Sequence, residues 1–99
     1  VTMSERYISI VGIDYYFGAD VFSIGQKLTI KKDYDNKYDG EAIVVELDSV
    51  GKVGYVANST HTVARGTHSA GRIYDTFEDT TSCEVLFILK DTVIAKLLD

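Results

Sequence analysis

The apolar residues of this chain come in short runs, each about one strand long and each closed by a turn-forming cluster. Lys27-Leu28-Thr29-Ile30-Lys31 alternates strictly, so Leu28 and Ile30 share one face, as a half-buried strand requires. In residues 42–47, Ile43, Val45 and Leu47 share a face in the same way. Asp48-Ser49-Val50-Gly51 predicts a hairpin onto residues 52–56. Gly54 inside that strand predicts a bulge or the close approach of another backbone. Residues 7–16, rich in β-branched and aromatic side chains, predict a strand ended by Phe17-Gly18-Ala19-Asp20. Residues 83–90 and 92–98, parted by little more than Asp91, predict a second hairpin.

Residues 58–80 break this pattern. Asn58-Ser59 can cap a short helix over 60–65, stopped by Gly66. Ser69 can cap a second helix, with Ala70, Ile73, Tyr74 and Phe77 at i, i+3, i+4 and i+7. Six short strands with a helical insert predict a mainly β fold, a small closed barrel of the OB-like or SH3-like kind. Ninety-nine residues make one domain, spanning 1–99, and an apolar content of 45% supplies its core. No apolar run approaches the roughly 18 residues of a membrane-spanning helix, and no signal-peptide pattern is present. The reading is a cytoplasmic protein with no membrane partner. The lone Cys83 reads as a small buried apolar side chain.

Catalytic and metal motifs fail one by one. Asp33, Asp35 and Asp39 take positions 1, 3 and 7 of a would-be calcium loop. Tyr38 and Val44 then stand where that loop needs a glycine and a bidentate glutamate. A loose divalent site of Asp35, Asp39 and Glu41 is outweighed by a plain solvated turn. His61 and His68 lie seven residues apart, about 10 Å along a helix and too far to share a metal. There is no nucleophile-elbow serine and no phosphate-cradling glycine loop. The expectation is no catalysis, no metal and no cofactor. A small hydrolase using His61 or His68 with a divalent ion is the weakest reading.

Aromatic residues give the stronger signal. The segment Asp33-Tyr34-Asp35-Asn36-Lys37-Tyr38-Asp39-Gly40-Glu41-Ala42-Ile43 sets two tyrosines and four acids in one turn. Turn chemistry explains its Asp, Asn and Gly but not its tyrosines. Tyr15, Tyr16, Tyr34, Tyr38 and Tyr55 all fall at strand ends or in turns. They can pack their rings on the core with hydroxyls in water. Alternatively, they can form a stacking platform for unpaired bases. Composition favours packing. The net charge of −5 excludes a broad basic footprint, although residues 25–72 carry seven Lys or Arg against six acids.

Three segments in order resemble HIRAN domains. Val11-Gly12-Ile13-Asp14-Tyr15-Tyr16-Phe17-Gly18 is similar to the family's opening glycine and Tyr-Tyr pair. Asp35-Asn36-Lys37-Tyr38-Asp39-Gly40-Glu41-Ala42-Ile43-Val44-Val45 resembles its Asn-Pro-Tyr-Asp signature leading into a strand. Gly51-Lys52-Val53-Gly54-Tyr55-Val56 resembles its next strand.

The resemblance implies an OB-like barrel that binds single-stranded DNA at a free 3′-hydroxyl end, in DNA repair or processing. It implies a stand-alone, bacterial-type member. Tyr15 and Tyr38 would face the terminal bases, with Tyr16 and Tyr55 beside them, and Asp39 would accept from the 3′-hydroxyl. Lys31, Lys32, Lys37 and Arg72 are the candidate phosphate contacts. Asp14 stands where the family's DNA-binding members carry a basic residue, and Lys37 replaces the proline. The rival reading keeps the barrel but turns its aromatic patch to a protein partner or to a second copy of itself.

Overall fold

The computed structural model describes residues 5–98, so the ends of the expected 1–99 domain lie outside the described residues. Six strands form a closed antiparallel barrel: β1 (Tyr7–Val11), β2 (Lys27–Lys32), β3 (Ile43–Leu47), β4 (Gly51–Val56), β5 (Thr80–Ile88) and β6 (Val93–Leu97). Their order around the barrel is β1-β4-β3-β2-β5-β6. The period-2 pattern delivers Ile8 and Ile10, Leu28 and Ile30, Ile43 and Val45, and Val93 and Ala95 to the interior. Cys83 is buried among them, and burial pushes its thiol up to about 12. No helix is long and apolar enough to cross a membrane among the described residues.

Gly54 does both things expected of it. The β3–β4 register slips between Val45 and Glu46, which face Gly54 and Lys52, so Val53 is the extra residue of a bulge. A Cβ on Gly54 would also lie 2.9 Å from the Val11 carbonyl oxygen.

The first strand is shorter than expected. It ends at Val11 because Gly12 adopts a left-handed conformation (φ 70°) and turns the chain into a 3-10 turn, Ile13–Tyr15. Ile13 from that turn is fully buried.

The helix expected over 60–65 does not form. Here tertiary partners beat local propensity. Strand β1 pairs with β6 along most of its length but with β4 only at Ile10 and Val11. The loop 57–68 fills the gap. Ala57 N–H donates to the Ser9 carbonyl at 2.8 Å, and His68 N–H to the Tyr7 carbonyl at 2.7 Å. Buried Ser9 accepts from Ala64 N–H through its hydroxyl at 3.1 Å. Only one isolated turn survives, with Val63 N–H on the Ser59 carbonyl.

The second helix does form, and the Ser69 hydroxyl caps it by accepting from Arg72 N–H. It is one turn long, α1 (Ala70–Ile73), running into a 3-10 turn, Tyr74–Thr76. The Thr76 hydroxyl donates to the Ile73 carbonyl at 2.6 Å, which competes with continued helix.

Candidate nucleic-acid interface

Tyr55 is the pivot. On β4 it lies opposite Val11 of β1 and Val44 of β3. The chain leaving β1 with Tyr15 and Tyr16, and the chain entering β3 with Tyr38 and Asp39, therefore flank one residue. Its hydroxyl donates to Asp33 Oδ2 at 2.7 Å. Burial, then the hydrogen bond to ionised Asp33, holds the Tyr55 phenol well above its ordinary range. The nearby Tyr16 phenol pushes the same way. In return, the Tyr55 hydroxyl holds the Asp33 carboxyl below the usual carboxylate range, despite partial burial.

That coupling has a pH sign. A depressed folded-state pKa stabilises the fold above the unfolded carboxylate pKa of about 3.9, and the support is lost as pH falls through the folded value. Tyr55→Phe should raise the Asp33 titration toward about 3.9, read from its carboxyl carbon by NMR. An unshifted titration would show that the hydroxyl does not hold the carboxylate.

The 33–42 loop is built from its own side chains. Asn36 Oδ1 accepts from the backbone N–H of both Tyr38 and Asp39, each at 2.9 Å. Asp39 Oδ1 accepts from Glu41 N–H at 2.9 Å, and Asp39 Oδ2 accepts from Asn58 Nδ2 at 2.9 Å. Asn58 Oδ1 in turn accepts from Gly71 N–H at 2.8 Å, which fixes the amide's orientation. Gly71 suits this approach, since a Cβ would sit 3.2 Å from Asn58 Oδ1 and would push the exposed Glu41 carboxylate, 2.7 Å away, aside. The chain of contacts thus runs from Tyr55 through Asp33 and Asn36's loop to Asp39, Asn58 and α1.

On this braced loop Tyr38 is 98% exposed. Tyr15 is 90% exposed on its 3-10 turn, and Tyr16 is partly exposed beside it. Tyr34 has a different role. Its hydroxyl donates to Asp79 at 2.6 Å, which pushes the phenol up to about 12 and ties the loop to the β5 approach.

The expected cations are not equivalent. Lys31 pairs with Glu46 at 3.7 Å on the barrel exterior. Lys32 donates to the Phe77 carbonyl at 2.8 Å, and its ammonium lies 4.5 and 5.0 Å from the Tyr74 and Phe77 ring centres. Lys37 is exposed on the loop next to Tyr38. Arg72 is exposed on α1, beside a groove that Asn58 also lines. His61 and His68 line separate grooves, so the structure does not bring them together. No cluster of three or more His, Cys, Asp or Glu side chains suited to a metal occurs among the described residues.

Asn36 and Asn58 are the site residues that sequence reasoning misses. Asn36 carries a signal, a side chain two and three residues before the N–H groups it accepts from. Asn58 carries none, because its partners are 19 residues before it and 13 after.

No curated protein sequence matches the chain. Among solved structures, the fold is similar to the crystal structure of the HIRAN domain of human HLTF, with a TM-score of 0.69. The two are 20% identical over 95% of this chain and 73% of that one, a likeness that shows the fold. The HIRAN domain family matches residues 4–86, which span the barrel from β1 into β5 and include Tyr15, Tyr38, Asp39 and Tyr55. The chain belongs to the HIRAN domain family.

Proposed function

We propose that this protein is a non-catalytic module that binds single-stranded DNA at a free 3′-hydroxyl end. The observation that carries the reading is Tyr38, an almost fully exposed ring on a loop braced by Asn36, Asp39 and Asn58. An exposed aromatic on an ordered loop loses little conformational freedom on stacking, so it is preorganised for a base. Asp39 suits the end itself. Each of its oxygens already accepts one hydrogen bond and keeps a lone pair for an incoming hydroxyl. A 3′-phosphate would meet the same carboxylate with like charge. Lys37, exposed beside Tyr38, would meet the first phosphate, with Lys31, Lys32 and Arg72 as further candidates.

Fluorescence anisotropy with a short single strand should show preference for the 3′-hydroxyl over the 3′-phosphate. Asp39→Ala should abolish that preference, removing a charge-assisted hydrogen bond worth about 1.5–3 kcal/mol. Tyr38→Ala should cost about 1–3 kcal/mol of affinity. Equal binding to both ends would end the proposal. The second reading, a protein partner, draws on Asp14 next to exposed Tyr15 and on exposed Phe17 and Ile24 nearby in sequence. It is favoured if no strand binds even at low salt.

A further inference from the structure

Beside Asn58 lies an open groove of about 580 Å³, between the 58–69 loop and α1. Its charged lining is Arg65 and Arg72, and none of its lining residues is acidic. In a chain with net charge −5 this is a local reversal of sign. Both guanidinium-bearing residues are exposed, and neither side chain has an ion-pair partner among the described residues. His68 also lines the groove. Thr60 adds a hydroxyl to the lining. Donors without acids, around a cleft, make a site for an anion, and the planar guanidinium fork fits phosphate oxygens in particular.

We infer that this groove is a phosphate subsite, taking an internal backbone phosphate of the strand whose end lies at Asp39. Asn58 is the shared wall, bonded to Asp39 and lining the groove. The inference rests on the end-binding proposal, and it deepens it by joining Arg65 to Arg72 as a two-cation contact beyond the terminal nucleotide. It also compensates for Asp14, which offers no cation at the Tyr15 side.

The test compares wild type with the Arg65→Gln/Arg72→Gln double variant, using 3′-hydroxyl strands of increasing length over a range of salt. The slope of log affinity against log salt should fall in magnitude by about 1.4, two contacts at about 0.7 each on a single strand. Preference for the 3′-hydroxyl should survive, and Arg65→Lys/Arg72→Lys should restore most of the slope. A double variant that keeps the wild-type slope overturns the subsite while leaving end recognition intact. NMR titration with inorganic phosphate separates the sources. Saturable shifts of the Arg65 and Arg72 side-chain N–H signals without any strand binding would support a phosphate site fed by a free phosphate ester. Absence of both strand binding and shifts overturns the inference.

Discussion

Gly54→Ala should destabilise the barrel by about 2–3 kcal/mol, the upper part of the range for overpacking a tight interior. The new Cβ would stand 2.9 Å from Ile10 Cγ2, 2.9 Å from the Val11 carbonyl oxygen and 3.2 Å from Ile13 Cγ2. One of these neighbours is backbone, and the two side chains are fully buried, so none can swing aside. Relief requires β1 and the turn carrying Tyr15 to move off β4. For a domain of this size the change corresponds to a fall in Tm of roughly 8–20 °C. Gly40→Ala is the control, because nothing lies within 4 Å of its Cβ position. Equal midpoints for the two variants in chemical denaturation would show that the β1–β4 contact is not tight.

Asn58→Asp should be the more selective lesion. The new side chain keeps an acceptor for Gly71 N–H but places a second carboxylate where Asn58 Nδ2 now lies 2.9 Å from Asp39 Oδ2. Two carboxylates at that distance cannot both ionise cheaply, so one is held protonated above its ordinary range. A raised folded-state pKa gives stability that is present below the unfolded pKa and lost as pH rises through the folded value. The variant should therefore be close to wild type near pH 4 and weaker by about 2 kcal/mol at pH 7. Denaturant midpoints across that range report it. Strand binding should fall with stability, since the same amide braces the loop under Tyr38. A pH-independent loss would mean that the side chain acts by shape alone.

Much of the barrel is legible in the chain because strand alternation is a local property. Leu28 and Ile30, or Val93 and Ala95, announce the inward face with no knowledge of their partners. Gly54 is legible for a different reason. A glycine within a strand points to a bulge or to a crowding backbone, and β4 has both at that residue. The 60–65 segment misleads because its capping residues are real but its backbone groups are claimed by β1, which no local pattern reveals. The surroundings of Lys32 are hidden from the sequence in a related way. An exposed-looking lysine at a strand end has found a carbonyl and two rings 45 or so residues on. A motif singles out Tyr38 and Asp39, whereas their brace, Asn58, lies in a contact that only the fold creates.

The loop that fills the gap beside β1 has one more consequence. A sheet with an uncovered rim invites a second chain to extend it, and β1 beyond its two-residue pairing with β4 would be such a rim. Here the donors of Ala57 and His68 already occupy its carbonyls, and every other strand is paired on both sides. The rim of β1 is therefore closed to strand-by-strand growth between molecules. A partner, whether nucleic acid, another protein or a second copy, meets a different surface, on which the large side chains most fully presented are Tyr38 and Tyr15.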